Sequence, residues 1–377
     1  MTTTLTQASQ QWMSRPADER FTSLIEMQGF KRRIKDASRP DVISSRGLSV
    51  YPAESGPRDL LIQTPDHALS AMTHWSFGQL CSLASPGNSP ASYFRETRMP
   101  GPMIADCLNY NLQFTRGVED IGVLTTHHHD GYGDGAGFGE LRSVNGPNYG
   151  RVYDADVVDA LVDKFGDGVS GTWRVPGEFG GKVTVTKDNT TLFASDRDMF
   201  VFLADEENRI EIPNRRAGQF GSFARGFFVG NSEVGKTSLF AGFFLFDYVC
   251  CNRIVWGADQ YTEVRIRHTK GAPDRWLEEV TPVLREYSQA SAKPVIQAIE
   301  DARNKRIETD LDQFLANRFG KNAVPAIKAC HEQDEGRPIE TLWDVTTAAT
   351  AFARSRSNTD KRLEIERAAG ELLKLAA

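Results

Sequence analysis

The chain has 377 residues, 40% of them hydrophobic and 25% charged, which is enough to bury a real core in two or three domain-sized units or one elaborated domain. Its 44 basic and 50 acidic residues leave a formal charge of −6, which excludes coating of nucleic acid by bulk charge but not a local basic groove. No run approaches the roughly 20 apolar residues of a membrane helix, and the longest, "LFAGFFLFDYVCC", is broken by Asp247.

The N-terminal "MTTTLTQASQQWMSRP" lacks the basic start and apolar segment of a secretion signal. Five cysteines without metal-type spacing suit a reducing cytoplasm, and the adjacent Cys250 and Cys251 read as small buried hydrophobes. Residues 1–60 read as a polar N-terminal arm with one short helix around "FTSLIEMQGFKRRIKDA". An α+β core is predicted over 61–270. Its first half holds helices at "ALSAMTHWSFGQLCSLA", "SPASYFRE" and "PMIADCLNYNLQFT", a strand at "DIGVLTT", a Gly-rich loop, and a strand and turn before a helix from about Ala155. Between Lys182 and His268 the period becomes two, in segments rich in Val, Phe, Thr and Ile. From Pro273 the pattern is helical again, giving a C-terminal helical region over 271–377. This order implies an α+β fold, a largely antiparallel sheet flanked by helices.

"GNSEVGKT" raises a sharper question, since Gly230, Gly235, Lys236 and Thr237 match the G-x-x-x-x-G-K-[ST] pattern of a phosphate-binding loop. Such a loop joins a strand to a helix, yet the residues after Thr237 are rich in Phe, which favours strands. A tight turn is therefore expected, with a nucleotide hydrolase using Lys236 and Thr237 as the alternative.

Several separated motifs carry a resemblance. The turn Asn231, Ser232, Glu233, Val234 and Gly235 precedes an apolar run ending in Cys250 or Cys251 with Asn252, and Arg265, Arg267 and His268 follow. Upstream, "LRSVNGPNYGRVYDADVVDAL" looks like an R-[AS]-x-x-S-x-x-Y-x-R-[IV] segment in which Gly146 replaces the serine. "TLWDVTTAATAFARS" and "IERAAGELL" add a tail. From about Met72 onward the chain resembles the phage/plasmid-like family known as domain of unknown function 932. The resemblance implies an origin in phages or plasmids, a bacterial host cytoplasm, and a neighbourhood of DNA replication and recombination.

The residues add their own argument. Basic and aromatic side chains interleave at Arg215, Arg216, Phe220, Phe223, Arg225, Phe227, Arg253, Trp256, Tyr261, Arg265, Arg267 and His268. Single-strand binding needs this mixture, phosphates on cations and bases on π-faces. Arg265 and Arg267 alternate in a strand and so share a face, which Arg225 is expected to join. A half-exposed sheet over an aromatic core has the same pattern. Arg142, Tyr149 and Arg151 form a second cluster, on a turn able to hold phosphate, although Tyr149 and Tyr153 equally suit pinning that turn to the core. His127, His128 and His129 with Asp130 and Asp134 offer metal-ligand chemistry, but adjacent strand residues alternate faces, so an exposed loop is expected and no metal. Glu233 and His268 would make an acid–base pair if the sheet brings them together; alternatively Glu233 holds its own turn through backbone N–H groups. The expected function is non-enzymatic binding of single-stranded nucleic acid, as in annealing or recombination, by a homo-oligomer without cofactor or membrane contact. A host-interaction protein is the remaining alternative.

Overall fold

A computed structural model of the chain describes residues 16–65, 69–115, 117–126, 139–175, 184–188, 190–216, 219–247, 252–255, 263–356 and 359–376. In chain order, β1 (Arg20–Phe21) and α1 (Leu24–Ala37) lead to β2 (Ser38–Ser44), β3 (Ser49–Pro52), β4 (Leu60–Gln63) and β5 (Leu69–Met72). Helices α2 (His74–Ala84), α3 (Ala91–Glu96) and α4 (Gly101–Tyr110) precede β6 (Asp120–Thr126), β7 (Gly139–Asn145) and α5 (Asp154–Phe165). Next come β8 (Trp173–Arg174), β9 (Leu192–Ala194), β10 (Met199–Asp205), β11 (Ile210–Arg216), β12 (Gln219–Asn231), β13 (Leu239–Asp247), β14 (Asn252–Ile254) and β15 (Val264–Ile266). The chain closes with α6 (Ala272–Gln289), α7 (Lys293–Asn304), α8 (Leu311–Phe319), α9 (Val324–Glu335), α10 (Leu342–Arg354) and α11 (Thr359–Lys374).

The α+β class is as the order of elements implies, but the strands divide into two sheets rather than one. One runs β1-β9-β10-β12-β13-β14, with β8, β11 and β15 added on β10, β12 and β13; the other runs β2-β6-β7-β5-β4-β3, with only β5 and β7 parallel. Helices start where side-chain oxygens satisfy the first free N–H groups: Ser23 accepts from Glu26, Thr73 from Ser76 and Thr341 from Asp344. Residues 20–52, read as a polar arm, supply strands to both sheets, and α1 buries Leu24, Met27 and Lys31.

In the first sheet both faces are covered. Phe227, Val229, Ala241 and Phe243 pack on Leu24 and Met27 of α1, Val158 of α5, and Trp276 and Tyr287 of α6. Phe200, Phe202, Phe228, Phe240 and Phe244 fill the other face, against Leu363 of α11. Every residue of β10 and β13 is accordingly buried, which removes the polar alternation of a half-exposed strand. Cross-strand pairing sets Phe244 opposite Gly226, Phe228 opposite Gly242 and Phe240 opposite Gly230. Each ring lies over the glycine, in the space a Cβ would take.

The second sheet packs Ile62, Ile121, Val123 and Leu141 against Phe77 and Leu80 of α2 and Ile104 and Leu108 of α4. Among the described residues no helix is long and apolar enough to cross a membrane.

Candidate functional site

The two sheets meet at the turn between β12 and β13, and the motif residues Asn231 to Gly235 form that meeting. Glu233 points inward. One carboxylate oxygen takes the guanidinium of Arg142, from β7 in the other sheet, and the second accepts the Asp154 N–H at 3.0 Å, at the start of α5. Asp154 is held by the Lys31 ammonium at 2.8 Å and by Asn231 Nδ2 at 2.8 Å. Arg151 donates to the Glu233 backbone carbonyl, and the Tyr149 hydroxyl to the Ser232 carbonyl at 3.0 Å. Two cations and two carboxylates, all 2% exposed or less, thus form a neutral buried network.

Its electrostatics follow from that geometry. Burial alone would push the Glu233 carboxyl up, but the charges of Arg142 and Lys31 and the Asp154 N–H bring it down to about 2. At Asp154 burial wins: with the Glu233 charge nearby, its carboxyl rises to about 6 despite Lys31.

Gly235 has φ +90°, a left-handed conformation that favours glycine, and a side chain there would meet Asn145 Nδ2 at 2.7 Å. The Val234 carbonyl beside it accepts from Gln79 Nε2 at 2.8 Å, Trp75 Nε1 at 3.1 Å and Asn145 Nδ2 at 3.3 Å. Ser232 Oγ donates to the Arg197 carbonyl at 2.6 Å and accepts the Lys236 N–H at 2.8 Å.

This arrangement corrects several expectations. Arg142 and Arg151 are turned into the junction and hold Glu233, so they present no phosphate site there. Glu233 and His268 are not an acid–base pair: His268 stacks on Tyr149 with ring centroids 5.0 Å apart and meets the Gly150 carbonyl at 3.2 Å. Burial pushes the His268 imidazole down, with the Gly150 carbonyl opposing. Nor does Glu233 cap its own turn; its N–H partner comes from α5.

Arg225 does not join Arg265. In register Arg225 pairs with Leu245 and Arg265 with Phe240, five residues apart on β13, so the two arginines lie on opposite faces. Arg225 is buried, and its Nη2 donates to the Ala290 carbonyl at 2.5 Å. The chain after Thr237 runs into strand β13 and opens no helix N-terminus, and Lys236 Nζ pairs with Asp198 at 2.5 Å. The phosphate-cradling geometry of a P-loop is therefore not built at this turn.

Residues 187–369 match the family model described as Domain of unknown function (DUF932). That stretch, just under half of the chain, is similar to the DUF932 family. No curated protein and no solved structure matches the chain. The DUF932-like stretch contains the turn, yet Lys31, Arg142 and Asp154, which complete the buried network, all precede it in the chain. Sequence reasoning picked out the motif turn but missed Lys31 and Asp154. A lysine on the apolar side of α1, between Met27 and Ile34, is the signal that was passed over.

What the DUF932-like stretch exposes is the edge strand β15. Arg265, on β15, and Arg267, one residue past its end, flank the buried Ile266, and both are exposed. The Glu263 carboxylate is shared between Arg265 at 2.6 Å and Arg367 of α11 at 2.7 Å. Exposed Lys270 follows, and the Arg265 guanidinium lies 5.3 Å from the Phe240 ring centroid. Arg253 lies on β14 opposite Phe246. Among the described residues no group of three or more His, Cys, Asp or Glu is placed to hold a metal ion. His127, His128, His129, Asp130, Asp134, Cys250, Cys251, Trp256 and Tyr261 lie outside the described residues.

Proposed function

We propose that this protein binds single-stranded nucleic acid along the β15 edge, without catalysing a reaction, in annealing or recombination in a bacterial host cytoplasm. The observation that carries this reading is the surplus of positive charge there: Arg265 and Arg367 divide one carboxylate, and the exposed Arg267 and Lys270 follow β15 directly in the chain. Phosphates suit the ammonium and guanidinium groups, and guanidinium planes also stack on bases. The resemblance to a phage/plasmid-like family supports the choice of ligand. The Phe-rich strands supply no stacking platform, because both of their faces are buried. Several copies placed edge to edge would extend a short basic strip into a track.

Fluorescence anisotropy with labelled oligo-dT and oligo-U tests the reading. Arg265→Ala and Arg267→Ala are expected to weaken binding similarly across sequences, and each to lower the salt slope by about 0.7. Unfolding midpoints should stay unchanged, since both side chains are exposed. Folded variants that bind as tightly as the parent, with an unchanged slope, would show that β15 is not the interface.

A further inference from the structure

A cleft of about 1010 Å³ opens beside the junction, between α2, α3, the start of β6 and the end of β7. That is the size of a site for a small organic molecule. One wall is fixed by the DUF932-like stretch itself, because Trp75 and Gln79 both donate to the Val234 carbonyl. The Trp75 ring is only half-buried, so part of it remains open to the cleft.

The charges around the opening are unbalanced. Among the described residues, Glu96, Glu119 and Asp120 line it, against one cation, Arg95. Arg95 is already committed: its Nη2 donates to the His74 carbonyl at 2.7 Å, and its guanidinium sits 5.4 Å from the Phe77 ring centroid. His74 adds no positive charge near neutral pH, because burial and the charges of Arg95 and Arg197 push its pKa down to about 4. Glu96 and Asp120 are exposed and unpaired among the described residues. Three carboxylates against one guanidinium repel phosphate and attract cations, and an indole face is the preferred aromatic partner of a cation.

We propose that this cleft binds an organic cation, a primary ammonium or guanidinium group carried on an apolar stem. Glu96 and Asp120 hold the charge, while Trp75 and the neighbouring Ile121 and Val144 receive the stem. Such a ligand differs in sign from the polyanion assigned to β15, so the two sites are independent. Because Trp75 and Gln79 also hold the Val234 carbonyl, occupancy braces the junction and raises the thermal midpoint by mass action.

Calorimetric titration with Nα-acetyl-lysine methylamide is the test, with the norleucine and glutamate analogues as neutral and anionic controls. The lysine probe is expected to bind and to raise the unfolding midpoint, with the norleucine probe at least about tenfold weaker. The double variant Glu96→Gln/Asp120→Asn, at two exposed positions, should weaken the lysine probe at least about tenfold. The inference is overturned if the lysine probe fails to bind at millimolar concentration, if either control binds as well, or if the double variant keeps the parent affinity.

Discussion

Glu233→Ala is expected to destabilise the protein by on the order of 3–5 kcal/mol, because it leaves the Arg142 charge buried at 2% exposure without its counter-charge. The Asp154 N–H loses its acceptor as well, and the contact between the two sheets is opened at its centre. Glu233→Gln keeps the volume and one hydrogen-bond acceptor, so it should cost less. The double change Arg142→Met/Glu233→Met removes both charges and should recover most of the loss, since an apolar pair of similar volume often replaces a buried ion pair without penalty. Chemical denaturation of the three variants measures the order. A full-sized loss in the double variant would mean that packing at the turn, and not charge, sets the stability.

The same residue predicts a pH dependence with a definite sign. Glu233 titrates near 2 in the folded chain and near 4.5 unfolded, so between those values the unfolded state binds more protons. Its contribution is complete above pH 4.5 and is lost as pH falls towards 2. Asp154 works the other way: raised from 3.8 to about 6, its contribution is present below 3.8 and lost as pH rises through 6. The stability difference between parent and Glu233→Gln should therefore be largest above pH 4.5 and shrink on acidification. A difference that grows as pH falls would contradict the charge network.

Gly226→Ala is expected to cost on the order of 1–3 kcal/mol or more, although it adds a single methyl group. The new Cβ would lie 2.2 Å from Cζ of the Phe244 ring, which is fully buried among Phe202, Phe228 and their neighbours. Pairing it with Phe244→Leu should restore part of the loss by opening that space, a coupling between neighbours that a double-mutant cycle reads directly. Additive losses would show that the ring does not lie over the glycine.

The α+β class, most of the helices, the longer strands from Asp120 onward and the strand after Thr237 were legible in the chain itself, whereas the five strands between Arg20 and Met72 were not. The legible elements rest on local periodicity and on β-branched and aromatic preference, which act over a few residues. What the Asn-Ser-Glu-Val-Gly turn does belongs to tertiary structure. Glu233 meets Arg142 across 91 residues, and Lys31 meets Asp154 through the packing of α1 on α5, so no local pattern distinguishes a buried carboxylate from an exposed one. Arg225 and Arg265 looked alike in the sequence, but the register of β12, β13 and β15 put them on opposite faces. The division of the strands into two sheets was likewise invisible, because a strand's composition records that it is paired and buried and not which strand it pairs with. Lys31, on an otherwise apolar helix face, is the one point where the sequence hinted at the buried network; which carboxylate it meets was decided only when the chain folded.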